Sequence, residues 1–296
     1  MIREDRTALD FAEDRFSTYH PLVLVTFFGT AIIATMLASH PVLAAVSWVL
    51  AFVVSMVAEG PARALGRLIL IVPIIGVVTV ANMYFVVLGS TELFSLGDRI
   101  FTLEATIFGV TTGLMLTAML MWFAVAQRFI RNDDLLSLTS GVLPTLSLMV
   151  SMLFKLVPDF VRRAGLVSTA REALDPGTPS AGGRIRSAID TSSVLVSWTM
   201  EDSLDTTDSM RARGYGAARR TSYRERGMKP RDIRMLIWMI VGGVSIIAAT
   251  LLIVSRFRFY PEIADLGPAW TYPLIALYLL TPALVMGWGW LTWKLS

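Results

Sequence analysis

Long uncharged apolar runs, separated by short polar connections, dominate the chain. Residues 22–38 and 42–58 are divided only by Ser39-His40-Pro41, the spacing of a tight helical hairpin. Runs at 68–88, 105–126, 235–254 and 270–291 follow, and none of the six contains Asp, Glu, Lys or Arg. Each approaches the ~20 residues that a helix needs to cross about 30 Å of hydrocarbon. The pattern therefore predicts an all-α polytopic membrane protein with about six transmembrane helices. Trp270, Tyr272, Tyr278, Trp288, Trp290 and Trp293 gather mostly near the ends of the last run, as interfacial anchors do.

A seventh run, 135–156, is apolar apart from Lys155 but is interrupted by Ser137, Thr139, Ser140, Pro144, Thr145, Ser147 and Ser151. Charge decides how it is read. Seventeen of the 26 basic residues lie between Arg128 and Arg234, and fourteen of those lie from Arg162 onward. If 135–156 crossed the membrane, those fourteen would move to the outer side, against the positive-inside bias. An interfacial or re-entrant stretch fits better than a span. The expected organisation is a four-span bundle at 1–127, a charged insert at 128–234 and a two-span hairpin at 235–296. The insert and both termini are expected to be cytoplasmic, in a cell-membrane protein. The first twenty residues carry Arg3, Arg6 and Arg15 with five acids and read as a leader retained in the cytoplasm, not as a signal peptide.

Composition narrows the function classes. The 296 residues are 54% hydrophobic and 17% charged, with a net charge of only +3 and a mean hydropathy of +0.62. There is no cysteine, and there are only two histidines, His20 and His40. Disulfide scaffolds, thiolate metal sites and cysteine nucleophiles are excluded, and no metal site or cofactor is expected. The basic run from Arg211 to Arg234 lacks the aromatic interleaving of a nucleic-acid surface, so the expected contact is the lipid bilayer and not nucleic acid.

Within the insert, charge, turns and amphipathic periodicity coincide. One helix is expected from about 156 to 174, with Val157, Phe160, Val161, Ala164, Val167 and Leu174 along one side. A second is expected from about 186 to 213, with Ile189, Val196, Met200 and Leu204 at helical spacing. Residues 175–183, with two prolines and three glycines, read as the loop between them. Gly214 stands where a left-handed helix cap is favoured. The helices end in similar chemistry: Ala170-Arg171-Glu172 in the first, Arg211-Ala212-Arg213-Gly214 in the second. An arginine in a last turn offsets the negative end of the helix dipole, which is the simplest account of each one. Repeated at the ends of two consecutive helices, a small residue before an arginine leaves the guanidinium unobstructed. It can then enter a cleft and fork onto carboxylates or helix-end carbonyls.

These motifs, with Asp134-Leu-Leu-Ser-Leu138, the Pro144 segment, Leu156-Val-Pro-Asp-Phe160, Arg220-Thr221 and His20-Pro21, resemble the transmembrane (T) component of energy-coupling factor (ECF) transporters, the CbiQ-like family. The resemblance covers residues 128–223 in motif detail and the rest in span order. It implies that the two helices are coupling helices and that Arg171 and Arg213, flanked by Ala170, Ala212 and Gly214, dock into two ATPase subunits. Glu172 departs from the pattern, standing where the family carries glycine. The resemblance further implies that the apolar sides at Val157, Phe160, Val161, Val196, Met200 and Leu204 hold a separate S component. In the family that small membrane protein captures a vitamin or metal ion such as cobalt.

Absences in the sequence agree. The six runs hold no ionisable group for proton or ion coupling, and no GxxxxGK[ST] phosphate loop occurs. Energy would have to be borrowed through the insert, so no catalytic residue is expected. Two rivals remain: a conventional ABC permease subunit, and an intramembrane metal-dependent enzyme using Asp202, Asp205 and Asp208. The i, i+3, i+6 spacing of those aspartates drifts by about 60° per step around a helix, which suits a single metal cage poorly. Gly109-Val-Thr-Thr-Gly113 is expected to serve close helix packing.

Overall fold

The computed structural model describes residues 16–86, 91–96, 99–174, 181–217, 227–257, 259, 268 and 270–287. Helix starts are set by proline. Helices α1 (Pro21–Leu37), α2 (Pro41–Glu59) and α3 (Pro61–Phe85) each begin on one, at the position where a missing N–H costs nothing and the ring pre-sets φ. His20 caps α1, its Nδ1 accepting from the Leu22 N–H at 3.3 Å. Gly60 alone joins α2 to α3 at φ 88°, a left-handed conformation that disfavours any side chain.

A two-stranded antiparallel hairpin, β1 (Glu92–Leu96) and β2 (Arg99–Thr102), leads into α4 (Leu103–Phe129). The hairpin is an addition to the helices expected from the pattern. Glu104 is buried at the start of α4 and accepts from the Thr91 N–H at 3.2 Å and the Thr91 hydroxyl at 2.7 Å. Then come α5 (Asn132–Val142), α6 (Pro144–Leu174), α7 (Ala181–Ala212), α8 (Pro230–Arg256) and α9 (Thr271–Leu279). The chain divides into two compact units, Met1–Asp134 with Arg226–Ser296, and Leu135–Glu225.

Four helices of the first unit, α2, α3, α4 and α8, are long and apolar enough to cross a membrane. Helix α1 is equally apolar but has 17 residues, about 26 Å at 1.5 Å per residue. The final run is not one continuous helix: α9 ends at Leu279, a turn follows at Leu280, and residues 281–287 are helical again. Pro282 explains the break, because its ring lacks an N–H and crowds the carbonyl four residues back. Trp288, Trp290 and Trp293 lie outside the described residues.

Threonines inside these helices satisfy themselves. Thr26, Thr35, Thr79, Thr111, Thr112 and Thr117 each donate to the carbonyl four residues back, so an apolar surrounding leaves no orphan hydroxyl proton. The core runs through Phe16, Phe27, Phe28, Met121, Trp122, Met239 and Ile246. A small polar knot lies within it: Thr35 and Ser47 share a hydrogen bond of 2.6 Å, and Trp122 Nε1 donates to Ser47 Oγ at 3.2 Å.

Glycines set the closest approach. A methyl group on Gly109 would meet the Thr79 backbone at 2.9 Å, and one on Gly113 would meet Ile75 Cα at 3.1 Å. The GxxxG of α4 is thus the seat of α3, the packing role read from its spacing. Helix α3 otherwise leaves Ile69, Leu70, Val77, Val80 and Phe85 exposed, a surface suited to hydrocarbon. It begins seven residues before the apolar run it was read from, so Arg63 and Arg67 are helical and not part of a loop. Arg67 Nη2 pairs with Glu59 Oε2 at 2.6 Å and Nη1 donates to Ser55 at 3.2 Å.

Candidate docking surface

In the second unit, the 135–156 run is divided between two helices. The break falls at Leu143, immediately before Pro144, where the proline ring disfavours helical backbone in the preceding residue. The Ser147 hydroxyl donates to the Leu136 carbonyl at 3.2 Å and ties α6 back to α5. Helix α6 then runs on without interruption to Leu174, through Pro158. The amphipathic helix expected from about 156 therefore begins twelve residues earlier, and is about 46 Å long. Pro158 lies inside the helix and does not end it, although its ring removes one backbone hydrogen bond. Helix α7 likewise starts earlier than expected, at Ala181, so residues 181–183 are helical and not loop. Residues 175–180 lie outside the described residues.

Helix α7 is rich in Ser and Thr, yet its hydroxyls turn inward on their own helix. Ser192, Thr199 and Thr207 donate to Ala188, Leu195 and Ser203 carbonyls. Its apolar residues are mostly exposed, and Leu195 and Ser147 are the buried side chains among the described residues of this unit. Val196, Met200 and Leu204 fall within about 80° of arc on α7 and are all more than half exposed. Val157 and Val161 are similarly exposed one turn apart on α6, while Phe160 is half-buried. Leu153, Phe154 and Trp198 extend the exposed apolar surface. They were not among the expected surface residues, although Trp198 stands two residues from Val196 and Met200 and an exposed tryptophan in an amphipathic helix is a signal of its own.

Charge joins the two helices. Arg163 of α6 pairs with Asp202 of α7 at 2.5 Å and with Asp159, one turn back on α6, at 3.6 Å. Arg162 shares Asp159 at 2.9 Å. Asp202 is therefore engaged with a guanidinium, and no group of three His, Asp or Glu that could surround a metal occurs among the described residues.

The end of α7 is a well-formed cap. The Tyr215 N–H donates to the Met210 carbonyl at 3.0 Å and the Gly214 N–H to the Arg211 carbonyl at 2.9 Å, the paired bonds of a Schellman motif. Gly214 takes φ 80°, as its position after the helix led one to expect. Arg213 becomes the cap residue at the negative end of the helix, with Arg211 two residues before it, and both are exposed. Neither makes an ion pair among the described residues. In the first motif, Ala170 is exposed, and Arg171 and Glu172 occupy the last turn of α6. The side chains of Arg171 and Glu172, and residues 219–223 after the second motif, lie outside the described part of the structure.

No family model matches the chain, and no curated protein matches it.

Proposed function

We propose that this chain is the membrane scaffold and energy-transducing subunit of an ECF-type ABC importer. In this reading α6 and α7 are coupling helices on the cytoplasmic side of the cell membrane. Arg171 and Arg213 each dock into one of two ATPase subunits. The exposed apolar residues Val157, Phe160, Val161, Val196, Met200 and Leu204 receive a membrane-embedded S component that carries a vitamin or metal ion. Helix α1 and the broken helix at 271–287 complete six spans with the four longer ones. The observation that carries the reading is the pairing of two long helices in one unit, each ending in a small-arginine motif and each leaving apolar side chains exposed.

The test is capture of the ATPases. Purified in mild detergent from its own host, the chain should bring down polypeptides that carry a nucleotide-binding phosphate loop. The Arg171→Glu/Arg213→Glu double variant should insert normally yet lose them, since removing an arginine paired with carboxylates at an interface costs on the order of 2–5 kcal/mol. Normal ATPase recovery with the double variant would refute docking through these arginines.

A further inference from the structure

Helices of 31 and 32 residues need more than contact to act as one body. A helix pair touching at one place can rotate about it, and α7 buries only Leu195 among its described side chains. Among the described residues, Arg163 makes a polar link between the two. Its guanidinium lies between two carboxylates, Asp159 one turn back on its own helix and Asp202 across on α7. The same Nη2 makes both contacts, 2.5 Å from Asp202 and 3.6 Å from Asp159, so the closer of the two ion pairs is the one that crosses to α7. Arg163 is 29% exposed and Asp202 47%. An exposed pair of this kind adds little to stability, so its consequence is orientation.

We infer that Arg163 and Asp202 form a latch that fixes the orientation of α6 against α7, and with it the relative placement of the two arginine motifs. Arg171 lies about 12 Å beyond Arg163 along α6, and Arg213 about 16 Å beyond Asp202 along α7. A 10° rotation at the latch, taken as a round figure, would displace those ends by roughly 2–3 Å over these lever arms. With the latch closed, movement imposed on one end is transmitted to the other helix. With it open, the movement is spent in rotation. Arg163, Asp159 and Asp202 are positioning residues and touch no cargo. The functional consequence rests on the docking reading, whereas the geometry does not.

The chain has no cysteine, so spin labels on Thr169→Cys and Ser209→Cys report the distance between the two helix ends in the full-length protein in nanodiscs. The native pair should give one narrow distance distribution, and Asp202→Asn should at least double its width. The charge exchange Arg163→Asp/Asp202→Arg should recover part of the narrow distribution, because it again sets an acid opposite a base across the two helices, although the new acid lies one turn from Asp159. An unchanged width in Asp202→Asn, or an exchange that stays as broad as the single variant, overturns the latch. In uptake assays Asp202→Asn should keep both ATPases and lose transport by about two- to fivefold; full transport would overturn the role of the latch in coupling. A native chain that captures no ATPase would remove the docking reading instead, while the distance measurement still decides the latch.

Discussion

The ring of Tyr278 fills the space that a side chain on Gly242 would need. A methyl group there would come within 2.6 Å of Tyr278 Cδ2. The phenol is held from the other end, sharing a hydrogen bond of 2.6 Å with Thr30 and donating to the Met239 carbonyl at 3.1 Å. Gly243 is seated against Thr30 in the same way, at 2.7 Å. Helices α1, α8 and α9 therefore meet at one buried tyrosine, and the ring cannot swing away without breaking two hydrogen bonds.

Gly242→Ala should consequently destabilise the apolar unit by about 1–3 kcal/mol, the usual cost of an added methyl in a tight core. Gly76→Ala provides the contrast, because nothing lies within 4 Å of a methyl group there and alanine favours helix by about 1 kcal/mol. Thermal unfolding in one detergent should show a lower midpoint for the first variant and an equal or higher one for the second. Equal midpoints for both would mean that Tyr278 is not locked.

How much of this was legible in the sequence differs between elements for physical reasons. Gly109 and Gly113 advertise themselves by a four-residue spacing on one helix face, and the structure seats α3 on them. Gly242 and Gly243 carry no such pattern, because the ring they accommodate arrives from Tyr278, thirty-six positions along the chain. Gly214 was legible because a cap is a local matter of backbone handedness. The hairpin could have been found: the sequence places the dipeptide Gly-Asp between two β-favouring segments, a hairpin signal, and Leu96 pairs with Arg99. Arg67 falls outside the apolar run 68–88 although it is helical, because a charge at the edge of such a run reads as its end, and its partner Glu59 lies on the preceding helix. Within the candidate site, the motifs and the apolar periodicity were visible, but the Arg163–Asp202 link was not. Ion pairs between helices leave no spacing rule in a single sequence.

The Glu59–Arg67 pair has a stability consequence of its own. The Glu59 side chain is 6% exposed and that of Arg67 28%, so the pair is neither fully dry nor freely hydrated. Glu59→Gln leaves the guanidinium without a counter-charge beside apolar helices and should cost about 1–3 kcal/mol. Adding Arg67→Met should recover part of that loss, because the stranded charge is then removed. A double-mutant cycle by thermal unfolding would show this as a coupling of opposite sign to the single loss. Strict additivity would show that the pair contributes nothing.

His40 should confer a pH dependence. It lies in the turn between α1 and α2, fully buried, with its ring centroid 4.3 Å from that of Phe257 and 6.1 Å from that of Tyr272. Neither ring nitrogen has a hydrogen-bond partner among the described residues, and burial pushes the imidazole below its usual value of 6.5. Above that value both folded and unfolded chains hold the neutral ring, and its contribution is complete. As the pH falls below it, the unfolded chain takes up a proton that the folded chain resists, so stability declines. His40→Phe should be at least as stable at pH 7.5, since it removes two unpartnered nitrogens. It should also lose less than the native chain on going to pH 5. Parallel pH profiles for the two proteins would exclude this role.

The last prediction separates the handedness of the α7 cap from the charge it presents. Gly214 has open space around a hypothetical methyl group, so a side chain there meets no steric obstacle from other residues. The cost comes from φ 80° alone, about 1–2 kcal/mol for an ordinary L-residue and less for asparagine. Because α7 is anchored elsewhere, that cost should unwind the cap and leave the helix intact. Arg213, held as the cap residue by its N–H bond to the Ser209 carbonyl at 3.1 Å, would then lose its fixed direction while keeping its charge. ATPase capture should therefore fall in the order Gly214, Gly214→Asn, Gly214→Ala, Gly214→Val, with helical circular dichroism unchanged throughout. If docking depended on net positive charge alone, all four proteins would capture equally and only Arg213→Glu would fail. A graded series would instead assign the recognition to a guanidinium held in place by a left-handed turn.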